Sequence, residues 1–153
     1  MASEMDFAQL KKNLRLSQGV AVFSLLCIPV YFVVAWYYAG SYRGGPESER
    51  VSEFVTFVVY IIVLSGVFAA RTIESIMRVS IYRKTQDAAS AIMTGRIVTI
   101  VLCEMVAIGG LVLTVLTFDA KHFYLLALFA ILAIGVFFPR WKEWRQLYEQ
   151  LHQ

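Results

Sequence analysis

Charge is scarce in this chain. Only 16% of its 153 residues are Asp, Glu, Lys or Arg, whereas 59% are hydrophobic. A soluble domain carries about a quarter charged residues, so the composition excludes an ordinary water-soluble fold. Cysteine is just as sparse. Cys27 and Cys103 both fall in apolar stretches and form no CxxC pair, so neither a disulfide nor a metal site is expected. There are two histidines, His122 in a turn and His152 near the end, on opposite sides of any membrane and unable to bracket a haem. No phosphate-binding glycine loop and no nucleophile elbow occurs. The expectation is a non-enzyme without cofactor or metal.

The abundant feature is the long apolar run, of which there are four: about 17–39, 54–78, 97–118 and 123–138. Each approaches or exceeds the roughly 20 residues that cross a bilayer. The first is too long for the apolar region of a signal peptide and lacks a small-x-small cleavage site, so it reads as a retained helix. The predicted fold is a single all-α domain over 1–153, an integral membrane four-helix bundle of two hairpins with amphipathic segments at both ends. A shift of 76 residues lays Gly19 on Gly95, Leu26 on Leu102, Cys27 on Cys103 and Ile28 on Glu104, which suggests an internal repeat of two parallel hairpins.

Basic residues orient the chain. Lys11, Lys12, Arg15, Arg71, Arg78, Arg83, Lys84, Arg96, Arg140, Lys142 and Arg145 fall on one side; Arg43, Arg50 and Lys121 fall on the other. The positive-inside rule puts both termini in the cytoplasm. Basic residues at membrane ends call for anionic lipid headgroups, not nucleic acid. Trp36 marks the far interface. Trp141, Trp144, Tyr148 and Leu151 recur at spacings of three, four and three. That is one helix face, expected to lie along the membrane surface as an anchor. Pro29 is expected to kink the first helix.

The one acid deep in an apolar run is Glu104, eight positions after Arg96 and fifteen before Asp119. Burying it costs at least about 2.5–3.5 kcal/mol at the bilayer centre, so it needs a partner, a proton or a wet cavity. Counting back from Arg78 puts Arg71 at a similar depth, which offers an Arg71–Glu104 pair; Glu74, one turn from Arg71, competes for the same cation. A free Glu104 would instead titrate. Gly66, Gly109 and Gly110 allow close helix packing.

The stretch "LCEMVAIGGLVLTVL" resembles the ion-carrying helix of rotary-ATPase proteolipid subunits, which implies that Glu104 binds a proton or cation. The chain departs from that family in carrying the acid on its third helix and in lacking a glycine-rich inner helix. The whole pattern is also similar to small four-helix bacterial membrane proteins of uncharacterised activity, with an "LxE" helix, a final hairpin and a proline-basic tail. That resemblance implies a bacterial inner membrane. The functional expectation is a non-catalytic subunit, or a self-associating component, of a membrane complex, with a homo- or hetero-oligomer as its working form. The alternative is an ion-coupled unit in which Glu104 titrates.

Overall fold

Apolar residues in unbroken runs of this length fold as helices, because only a helix satisfies its backbone polar groups within one segment. The computed structural model describes residues 4–41 and 53–151, and 93% of these are helical. Five helices follow in order: α1 (Glu4–Ser41), α2 (Glu53–Thr85), α3 (Ala88–Thr117), α4 (Lys121–Val136) and α5 (Trp141–Leu151). The expected loop between the first two spans, with Arg43 and Arg50, lies outside the described residues, as does His152.

Three helices, α1, α2 and α3, are long and apolar enough to cross a membrane. The fourth expected span is different. At 16 residues, α4 rises about 24 Å, less than a hydrocarbon core of about 30 Å. It meets the length test only together with α5, which bends away by 60°. Pro139 sets that break by removing a backbone donor and restricting the residue before it. Pro29, by contrast, sits on an exposed face inside α1, which runs as one helix from Glu4 to Ser41.

The pairing also differs from two successive hairpins. α1, α2 and α4 all pack on α3, whereas α1 and α2 have no extensive contact with each other. The α2–α3 link is two residues long. Gln86 takes a left-handed φ of 55°, and the Asp87 carboxylate caps α3 by accepting from the Ser90 amide at 3.1 Å, satisfying one of the donors a helix start leaves open.

Two apolar cores result. The larger joins α1, α3 and α4 through Ala21, Ile28, Ala35, Ile100, Cys103, Val106, Leu113, Phe123, Leu126 and Ile134, with α2 contributing half-buried Val59, Val63 and Val67. The smaller lies at the end where α1 begins. Trp144 and Tyr148 of α5 are buried there against Leu10, Leu14, Ala88, Ala89 and Ile92. This corrects the expected surface anchors. The α5 face is covered by protein, with Trp144 0% exposed. Of the expected anchors, only Trp36 and Trp141 are exposed.

The glycines sort by what surrounds them. A Cβ on Gly110 would lie 3.0 Å from Phe123 Cα and from Leu126 Cβ, so α4 approaches there; one on Gly109 would lie 2.6 Å from Val63 Cγ2, so α2 approaches there. Gly66 faces open space and is not a packing residue. Gly110→Ala is therefore expected to push α3 from α4 and destabilise by about 1–3 kcal/mol, as overpacking does. Gly66→Ala should be neutral or stabilising by up to about 1 kcal/mol, the helix-propensity difference. Unfolding midpoints of both variants in a denaturing-detergent titration check this pair.

Candidate functional site

Two polar centres sit on α3, eight positions or about 12 Å apart along its axis. The first is Glu104. Ser24 Oγ donates to its Oε2 at 2.7 Å and Tyr31 Oη donates to its Oε1 at 2.8 Å. Both donors come from α1, seven residues apart and so two turns along one face. Glu104 is half-buried, and among the described residues no cation lies within ion-pair distance of it. The carboxyl group thus ties α1 to α3 through two hydroxyls. Ile28, which the 76-residue shift lays on Glu104, lies between these two donors in the sequence and is buried in the same core.

The second centre is Arg96, two turns inside α3. Its Nη2 lies 3.3 Å from Glu74 Oε1 on α2 and 3.4 Å from Glu143 Oε2 on α5. Its Nη1 donates to the Phe137 carbonyl at 3.2 Å, an acceptor that the end of α4 leaves open. The Arg96 and Glu74 side chains are 8% and 7% exposed. The Thr99 hydroxyl completes the cluster, 3.3 Å from Glu74 Oε2 and 3.1 Å from the Gly95 carbonyl. One guanidinium therefore joins α2, α3, α4 and α5, and the close approach at Gly95 makes this possible: a Cβ there would stand 3.2 Å from the Glu74 carbonyl oxygen. Arg96 Nε is buried without a partner.

The expected Arg71 pairings are not found. Glu104 bonds hydroxyls, Glu74 bonds Arg96, and Arg71 is exposed with no ion pair among the described residues. The reason is register. α2 and α3 run antiparallel, with Val63 against Gly109, Ala70 within reach of Thr99, and Glu74 and Arg78 against Gly95. Arg71 is thus level with residues near Thr99, and Glu104 sits more than a turn deeper.

Arg71 instead lines a groove of about 910 Å³ between α2 and the α4–α5 corner. Its other walls are Phe68, Thr72, Ser75 and Arg78 of α2 and Val136, Glu143, Gln146 and Gln150 across the gap, with Arg96 behind. Further along the α2–α4 side, Tyr60 Oη lies 3.0 Å from His122 Nδ1. Among the described residues no group of three or more His, Cys, Asp or Glu could hold a metal ion. Compared with protein-family models, curated proteins and solved structures, the chain matches none.

Breaking a buried ion pair leaves its partner uncompensated, at a cost of about 3–5 kcal/mol. Arg96→Ala should lose that much by stranding Glu74 and freeing the Phe137 carbonyl. Arg71→Ala should change stability by less than about 0.5 kcal/mol, as surface substitutions do. Detergent-unfolding midpoints for both variants distinguish this network from the Arg71–Glu104 pairing, which would reverse the order.

Proposed function

We propose that the chain is a non-catalytic integral membrane protein, a small component of a larger assembly or of a homo-oligomer in a bacterial inner membrane. The observation that carries this reading is the outward surface. Phe23, Phe57 and Phe68 are 67%, 62% and 78% exposed, and Leu26, Val33, Ile61, Ile62, Leu128 and Leu132 are exposed as well. Soluble monomers rarely leave patches beyond a few hundred Å² uncovered. Lipid, or a partner's apolar helices, would cover it. Almost none of the apolar stretch of α2 is buried, which makes α2 the helix most available to a neighbour. The starts of α1 and α3 and the end of α2 fall at one end of the molecule with α5. Lys11, Lys12, Arg15, Arg83, Lys84, Arg140, Lys142 and Arg145 gather there, and Lys121 falls at the other end. This bias favours cytoplasmic termini and contact with anionic headgroups.

In mild detergent, the protein mass of the particle, measured by light scattering, is expected to exceed the 17.3 kDa of one chain. In a background without native cysteines, Gln150→Cys should react with an impermeant maleimide only after the membrane is opened, and Lys121→Cys should react in intact spheroplasts. A lone monomer would overturn the assembly, and reversed labelling the orientation.

A second reading rests on Glu104. A carboxyl group held by two hydroxyls and no cation can take up and release a proton without breaking an ion pair, as in an ion-coupled or proteolipid-like unit. A hydrophobic carbodiimide, which needs a protonated carboxyl reachable from lipid, is expected to label Glu104 faster as pH falls, and Glu104→Gln should abolish labelling. Absence of labelling at every pH leaves Glu104 a structural tie.

A further inference from the structure

We infer that the groove between α2 and the α4–α5 corner is a binding site for one anionic phospholipid, its phosphate held by Arg71 and Arg78. The inference rests on the membrane reading above and adds a specific site and ligand to it. Arg71 and Arg78 both line the groove, seven residues and two helical turns apart on one face of α2. Neither has an ion pair among the described residues. Three arginines and two glutamates line the groove, and both glutamates are already engaged by Arg96. Three positive charges against two negative ones leave the groove net positive by one, and Arg71 and Arg78 present planar donor forks that suit phosphate oxygens. Arg96 adds a buried Nε without a partner at the same site. Thr72, Ser75, Gln146 and Gln150 supply neutral donors around it.

The site is polar at one end and apolar at the other. Phe68 lies one turn deeper than Arg71 on α2, and Val136 and Phe137 close α4 across the gap. An acyl chain would run along these residues while the headgroup stays beside Gln146 and Gln150. Counted from Glu53, Arg71 lies about 27 Å along α2, near the far limit of a hydrocarbon core of about 30 Å. That is the depth of lipid phosphates and glycerol. A soluble anion would have no use for the apolar end, so the occupant is a lipid.

The test is native mass spectrometry of the whole chain released from detergent, with phosphatidylglycerol or phosphatidylcholine of the same acyl chains added. Phosphatidylglycerol is expected to bind more tightly and with a single saturable occupancy. The Arg71→Gln/Arg78→Gln double variant should weaken it by at least about tenfold, the loss of one or more charge-assisted hydrogen bonds. Arg71→Lys/Arg78→Lys should keep most of the affinity. Lys11→Gln/Lys12→Gln, which removes the same charge from exposed positions on α1, should leave binding unchanged. Equal binding of the two lipids, or an equal loss in the α1 double variant, overturns the site. Inorganic phosphate binding as tightly as the lipid overturns the lipid assignment. Extraction of the chain from membranes by alkaline carbonate would refute the membrane reading itself, an outcome separate from these.

Discussion

Close backbone approach to α3 is the constraint from which the rest of the structure follows. Three of these helices are long and apolar enough to cross a membrane, and for helices in lipid van der Waals contact and hydrogen bonds, not burial against water, drive association. Both strengthen as backbones near one another. Gly95 admits the backbone of α2 near Glu74, Gly109 admits Val63, and Gly110 admits α4 at Phe123. Two of these openings face α2 and the third faces α4, so α3 can hold both, and α2 and α4 need no extensive contact with each other. Without the approach at Gly95, the Glu74 carboxylate would not reach Arg96 from α2.

The two ionisable groups of α3 solve burial in opposite ways, and the difference follows from where each stands. Arg96 lies where α4 ends and α5 begins, beside the body of α2, so carboxylates and an open helix carbonyl can all reach it. A guanidinium cannot shed its charge and must be compensated by neighbours. Glu104 lies about a dozen ångströms further along, beside the flank of α1, and that flank offers hydroxyls. Arg96 therefore ties four helices through charge, whereas Glu104 ties α1 to α3 through two hydroxyls.

The existence of the helices was legible in the sequence because each apolar run is long and bounded by turn residues or proline. Their partners were legible only in part. The spacing of Trp144 and Tyr148 revealed a face but not its cover. A membrane surface and the flank of Leu10, Leu14 and Ile92 make the same demand on that pattern, and the second core satisfies it. The Arg71–Glu104 pairing failed because depth was counted from Arg78 as a boundary, whereas α2 continues to Thr85 and its register against α3 is set by side-chain volume at Gly95 and Gly109. Arg96 was passed over as a boundary residue because α3 starts at Ala88, well before the apolar run. Ser24 and Tyr31, two polar residues seven apart in an apolar block, were the readable signal for the partner of Glu104.

The groove has its origin in unequal lengths. α2 has 33 residues and α4 has 16, so α2 outruns its counterpart across α3 by several turns. A straight continuation of α4 would run alongside the last turns of α2. Pro139 forbids it, and α5 turns by 60° to bury Trp144 against α1 and the start of α3. The break thus does two things at once. It leaves an open carbonyl at Phe137 that Arg96 takes up, and it leaves a groove between α4–α5 and the α2 flank bearing Arg71 and Arg78. A proline that closes one core therefore opens a cationic recess beside it, and the guanidinium at the back of that recess is the same one that holds the four helices together.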